Sequence, residues 1–363
     1  MTVIKMESGG LFVYAPVAPT VECLSLLQPL IDSYGPVRFI VLPSVALEHK
    51  IFAGPFAREF PSADLYVTDK QYAFPLNLPA PFLGFPAGRI KTLPATSQGS
   101  PRMWGGEFEH EVLTAKASVS SVYQDAAFFH KPSGTLLVCD AIIATSADPP
   151  PILTAEPEYT RALLYHARDS PLELVADTPE TRRKGWQRIA LFANFFMPGS
   201  LVKLTSEQYY PPSFLPGSGR GPKSPMPELG WAGVLPFTWR ESVAVAFDRF
   251  SADGKPTVAP IIQIIMSRAP SDASRWVDQL KRWQFTRVIS AHLDAPIAMK
   301  PGDLDDTFRF LSSGQNKVRF CDEDVLYLRD ALEGLPPNLA LYPTAFGPLH
   351  GTDCKLGLDD YRM

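Results

Sequence analysis

Short apolar runs alternate with amphipathic stretches over the first 150 residues, a rhythm that predicts a layered α/β fold. Val3–Met6 and Leu11–Tyr14 flank Ser8-Gly9-Gly10, which predicts a hairpin with a glycine turn. Thr20 is placed to cap a helix over Glu22–Tyr34, kinked at Pro29 and ended by Gly35-Pro36. Val37–Leu42 is a continuous β-branched and apolar run, hence a buried strand. A short helix over Ile51–Phe60 and a strand over Asp64–Thr68 follow. Gly134 then turns the chain into a second buried strand that ends at Asp140.

The middle of the chain breaks this rhythm. Asp177-Thr178-Pro179-Glu180 is a helix start, with a capping side chain, a proline in the first turn and an acid at the positive helix end. Trp186, Ile189, Ala190, Ala193 and Met197 then recur at helical spacing. Pro211 to Pro227 is rich in proline and glycine and reads as a long surface excursion. The αβ rhythm returns with an apolar strand at Val258–Met266. A helix capped by Ser271 or Asp272 follows, carrying Trp276, Leu280 and Trp283, and Arg287–Ala291 forms a strand that delivers His292.

Composition narrows the classes. The charged fraction of 20% and apolar fraction of 45% are those of a globular chain. A net charge of −4 supplies no field for nucleic acid, and none is expected as a partner. The longest apolar run, Ile189 to Val202, is interrupted by Asn194 and Pro198-Gly199, so no transmembrane segment is expected. Cys23, Cys139, Cys321 and Cys354 form no CxxC pair, which argues against a thiolate metal site. No signal peptide, phosphate loop or dinucleotide fingerprint is apparent.

The chemistry gathers at strand ends. Pro43-Ser44-Val45-Ala46-Leu47-Glu48-His49 resembles the H-x-H-x-D-H motif of the metallo-β-lactamase superfamily, with Ser44 and Ala46 at the first two histidine positions and Glu48-His49 at the Asp-His pair. Val138-Cys139-Asp140-Ala141 resembles that superfamily's Gly-Asp strand end, and Val288–His292 its last histidine motif. Nearly the whole chain is similar to a domain-of-unknown-function family of metallo-β-lactamase-like proteins from cyanobacteria and chloroplasts. The residues that carry this likeness include Leu163–Asp169, Asp177–Trp186, Gly230-Trp231-Ala232-Gly233, Pro236–Trp239 and Trp276–Trp283.

The resemblance implies a four-layer αββα sandwich, a single domain over 1–363 with an insertion at 151–255, and a chloroplast setting. It also implies that one pole of a two-metal site is lost. Ser44 and Ala46 are not imidazoles, and Ser118–Asp125, where a third histidine is expected, has none. The other pole maps to Glu48, His49, Asp140 and His292, an N/O shell suited to one divalent ion such as Zn²⁺, Fe²⁺ or Mn²⁺, or to none if the set is a hydrogen-bonded relic. No catalytic residue beyond these is assigned. Two functions follow as expectations: a non-catalytic binding or assembly factor docking a protein or membrane surface through 181–236, and a mononuclear metal-dependent hydrolase.

Other candidates read as structural. His110, set among Glu107, Glu109 and Glu111, is expected on a solvated acidic strand or turn. Arg168-Asp169, beside His166, is expected to lock the insertion to the core. Arg182-Arg183-Lys184 with Trp186 is expected on a helix packed against the core. Trp231, Trp239, Trp276 and Trp283 are expected as core fillers with one hydrogen-bonded edge. His130 and His350 carry no recognisable neighbours, and Gly217-Ser218-Gly219 is no nucleophile elbow.

Overall fold

The computed structural model describes residues 1–71, 80–98, 103–116, 122–169, 173–193, 201–203, 237–239 and 243–313. The run from Pro211 to Pro227, with Gly217-Ser218-Gly219, lies outside them, as do Trp231, Cys321, His350 and Cys354. In chain order the strands are β1 (Thr2–Lys5), β2 (Leu11–Tyr14), β3 (Val37–Leu42), β4 (Asp64–Val67), β5 (Ile90–Thr92) and β6 (Phe108–Lys116). They continue with β7 (Val122–His130), β8 (Thr135–Val138), β9 (Leu201–Lys203), β10 (Phe237–Trp239), β11 (Arg287–Ser290) and β12 (Ile297–Ala298). The longer helices are α1 (Val21–Tyr34), α2 (Leu47–Glu59), α3 (Pro157–Ala167) and α4 (Pro179–Ala193). The last three are α5 (Val243–Ser251), α6 (Pro260–Arg268) and α7 (Pro270–Leu280).

Among the described residues the chain divides into two compact units, one built on 1–143 and 262–313, the other on Ala144–Ile261. The first unit holds two five-stranded mixed sheets, ordered β1-β2-β3-β4-β5 and β12-β11-β8-β7-β6. In the first, β1 and β2 form the expected hairpin, and β2 to β5 run parallel. Gly10 sits in its turn with φ +79°, where a Cβ would meet Pro36 O at 2.7 Å, so the turn requires glycine. In the second sheet β8 and β11 are parallel neighbours and the remaining pairs antiparallel.

Alternation along β2 and β3 builds two cores. Leu11, Val13, Ile40 and Leu42 face α1 and α2, where Leu27, Ala53, Phe56 and Ala57 cover them. Phe12, Tyr14 and Val41 face the other way, onto Ala126, Phe128 and Leu137 of the second sheet. Aromatic rings fill that seam: Phe12 stacks on Phe108 at 4.4 Å and meets Trp104 edge-on at 5.3 Å. On the outer side of the second sheet Trp276 Nε1 donates to Glu111 O and Trp283 Nε1 to Glu109, so these two tryptophans are core fillers with one bonded edge.

Three local expectations are corrected. Val258–Met266 is not a strand: Pro260 opens α6, since its fixed φ and missing N–H suit a first helical turn and an apolar run has no period to choose between the two. Neither Ser271 nor Asp272 caps α7, which starts at Pro270 after Ala269, with no side-chain cap bond. Helix α2 starts at Leu47 rather than Ile51, which puts Glu48 and His49 in its first turn. The Thr20 cap holds as expected, accepting from Cys23 N at 3.1 Å.

His110 is not solvated. It is fully buried on β6, its ring stacked on Phe128 at 5.0 Å. Strand alternation explains this, because Glu109 and Glu111 lie on the opposite face of β6, where both are half-buried. Nε2–H donates to Pro94 O at 3.0 Å, so Nδ1 accepts from Trp104 Nε1–H at 3.5 Å. Protonation would turn Nδ1 into a donor facing another donor.

In the second unit α3 and α4 approach until a Cβ on Gly185 would lie 1.9 Å from Leu163 O. Arg188 of α4 donates to the carbonyls of His166, Ala167 and Arg168 at the end of α3, where orphan acceptors and the negative helix end favour a cation. Asp169 pairs with Arg188 and Lys184, so it ties the end of α3 to α4. Arg182 and Arg183 pair with Asp177 and Asp148, and Trp186, Ala190 and Leu191 are buried. Of the expected stripe Trp186 and Ala190 are buried and Ile189 is half-buried, while the side chains of Ala193 and Met197 lie outside the described residues.

Two predictions follow from these contacts. Burial, opposed by the Pro94 bond, lowers the His110 pKa to about 4. Above pH 6.5 neither state carries the proton; between 6.5 and about 4 only the unfolded chain does, so stability falls as pH falls through that window. In His110→Gln the loss measured by urea unfolding across it should shrink by roughly 3 kcal/mol; an unchanged pH slope would refute the burial argument. Gly185→Ala should destabilise the α3–α4 pair by roughly 1–3 kcal/mol, as overpacking does, seen as a lower melting temperature, whereas the exposed Arg183→Ala should change it little.

Candidate metal centre

The loops at the carboxyl ends of β3, β8 and β11 supply the candidate side chains. His49 comes from the first turn of α2, after the β3 loop; Asp140 follows β8; His292 follows β11. Because β8 and β11 are parallel neighbours in register, with Ser290 opposite Val138, their ends emerge side by side. All four residues proposed from the sequence come together: Glu48, His49, Asp140 and His292 offer ligand atoms within 4.8 Å of one another.

Three of the contacts are close. His49 Nε2 lies 3.1 Å from Asp140 Oδ1, His292 Nε2 lies 2.8 Å from the same oxygen, and the two Nε2 atoms are 3.1 Å apart. Burial alone would discourage charge on Asp140, but the bonds to His292 and His49 outweigh it and hold its carboxyl well below the usual range. Burial likewise pulls His49 down, and the Asp140 bond and charge reverse that and raise it. His49 and Asp140 are about 10% exposed, whereas 40% of the His292 side chain is open, which gives the cluster one solvent-facing side. Glu48 is exposed beside it.

The sequence reading missed what holds Asp140 in place. Asp125, on β7, accepts from three consecutive backbone N–H groups: Cys139 at 3.2 Å, Asp140 at 2.8 Å and Ala141 at 2.9 Å. It is fully buried, and burial with the neighbouring Asp140 charge pushes its pKa up to about 6 against the pull of those bonds. Ser44, at a position where the motif has histidine, donates Oγ–H to Asp140 Oδ2 at 2.9 Å. Tyr123 OH is 3.4 Å from both carboxylates. The visible signal was an aspartate, beside Gln124, set among the apolar and aromatic residues of Tyr123–Phe129.

The other histidines stand apart. His110 is in the aromatic core, His166 is on α3 in the second unit, and His130 bonds Ser133 Oγ at 2.7 Å with Glu107 at 3.8 Å. Cys139 is buried at the floor of the strand end and Cys23 lies on α1; both are free thiols. No helix among the described residues is long and apolar enough to cross a membrane.

Removing the Asp125 carboxylate leaves three buried N–H groups without an acceptor, at about 1–3 kcal/mol each. Asp125→Ala should therefore lower the unfolding free energy by at least about 3 kcal/mol, read as a shift of the urea midpoint. A midpoint equal to that of the parent would show that the loop 139–141 is held by something else.

No curated relative matches the chain. Over residues 1–310 it matches the family described as Domain of unknown function (DUF4336), and the chain belongs to that family.

Proposed function

We propose that the chain is a metallo-β-lactamase-like protein that holds one divalent metal through His49, Asp140 and His292, with Glu48 beside them, and uses it for hydrolysis. The observation that carries this reading is the convergence of two Nε2 atoms and one carboxylate oxygen to mutual distances of 2.8–3.1 Å. Two imidazole nitrogens at that separation repel unless a proton or a cation lies between them, and a borderline ion suits an N₂O set. The donor chemistry therefore fits Zn²⁺, Fe²⁺ or Mn²⁺. Helices over one sheet, an apolar seam between the sheets and tryptophans of α7 over the other support the αββα order expected from the motif.

When bound, such an ion lowers the pKa of a water and supplies a nucleophile near neutral pH. The chain's own contribution is to hold two imidazole nitrogens and one carboxylate oxygen together on the loops that follow β3, β8 and β11. Glu48, exposed at the rim, is suited to accept a proton or to complete the shell.

A second reading, a binding or assembly factor that docks a protein or membrane surface through 181–236, is favoured by the missing imidazoles at Ser44 and Ala46. Most of that segment lies outside the described residues.

Elemental analysis of protein purified without chelator tests the metal reading. About one metal per chain is expected, lost in both Asp140→Ala and His292→Ala. A metal-free chain whose melting is indifferent to chelator would overturn it. A metal-loaded chain that turns over no chromogenic ester, thioester or phosphodiester would move the function to binding.

A further inference from the structure

We infer that Ser44 is a positioning residue that ties off one oxygen of Asp140, so that the carboxylate offers Oδ1 alone to a metal. This rests on the metal reading above. The two oxygens of Asp140 have divided duties: both imidazoles address Oδ1, at 2.8 and 3.1 Å, while Oδ2 takes the Ser44 hydroxyl at 2.9 Å. A serine hydroxyl has one proton to give. Here its acceptor side is occupied by Ala46 N–H at 3.1 Å, so the proton is committed to Asp140.

The hydroxyl has no freedom to turn away. Ser44 is fully buried, its carbonyl accepts from Gln71 Nε2 at 3.1 Å, and its backbone bridges Asp125 on β7. Ala126 N donates to Pro43 O at 2.8 Å on the same seam. Asp140 is pinned from behind by Asp125 through its own backbone N–H. An aspartate that bridged two ions through its two oxygens would need both free; this one has a fixed donor on the far oxygen, at a position where the motif has a metal-binding imidazole. Serine thus does more than omit a ligand: it replaces the second ion with a hydrogen bond and orients the remaining ligand, the task that outer-shell partners perform for metal sites.

Full-length protein stripped with chelator and titrated with Zn²⁺, and separately with Co²⁺ as a spectroscopic probe, tests this. Wild type should take one ion per chain. Ser44→Ala leaves Oδ2 only the longer Tyr123 contact at 3.4 Å; it should weaken zinc binding about 10-fold or more and change the Co²⁺ visible spectrum as the carboxylate's ligation changes, while Ser44→Thr restores both. Circular dichroism of the metal-free variants checks folding. If Ser44→Ala does not fold, carboxylate infrared bands of zinc-loaded wild type decide, one-oxygen ligation giving the wide splitting expected here. Zinc affinity and Co²⁺ spectrum unchanged in Ser44→Ala, or two-oxygen bands, would overturn the inference and leave the metal reading standing. A wild type that binds no zinc would sink both.

Discussion

A buried carboxylate that receives three consecutive backbone N–H groups determines where this chain can place its chemistry. Asp125 fixes the peptide units from Cys139 to Ala141, and thereby the direction in which Asp140 leaves β8. Burial, and after it the charge of Asp140, raise the pKa of Asp125. The arrangement holds because each acid has its own donors: backbone amides for Asp125, and imidazoles with a serine hydroxyl for Asp140. Charge in the interior is tolerated when it is divided among fixed partners in this way.

That constraint works only because the two sheets meet rigidly in front of it. Tyr14, on β2, reaches across the seam to donate its hydroxyl to Ala126 O at 2.8 Å, one residue from Asp125. The bridge between Ser44 and Asp125 joins the loop of the first sheet to the second. Behind both lies the packed aromatic seam of Phe12, Trp104, Phe108 and Phe128. His49 arrives from the first sheet's side while Asp140 and His292 arrive from the second, so the cluster exists only while the seam is closed.

Much of this was legible in the sequence where the signal was local. A glycine turn between two apolar runs gave the hairpin, a threonine before an amphipathic stretch gave α1, and ionisable residues just past β-branched runs gave His49, Asp140 and His292. What stayed hidden depends on partners distant in the chain. Strand β7 is buried almost throughout yet contains Gln124 and Asp125, whose polarity is met by side-chain and backbone partners elsewhere, so its pattern reads as no strand at all. His110 was misjudged because neighbouring glutamates suggest water, although alternation turns them and the histidine to opposite faces. Helix α6 was misjudged because an unbroken apolar run has no period to read; Pro260 was the better guide.

The cluster's asymmetry bears on which function is the more economical. A relic that kept only hydrogen bonds would have no need to leave two imidazole nitrogens 3.1 Å apart over a single carboxylate oxygen, since one histidine with one aspartate satisfies the same acid. Nor would it need the 40% opening of His292 toward solvent, which costs nothing to close with an apolar side chain and is what an incoming ligand requires. Beside the cluster Ser44 is buried and bonded to Asp140, while Ala46 is half-buried and donates its N–H to Ser44 Oγ. One ion held by this set would polarise a single water, with no second charge beside it to clamp a leaving group.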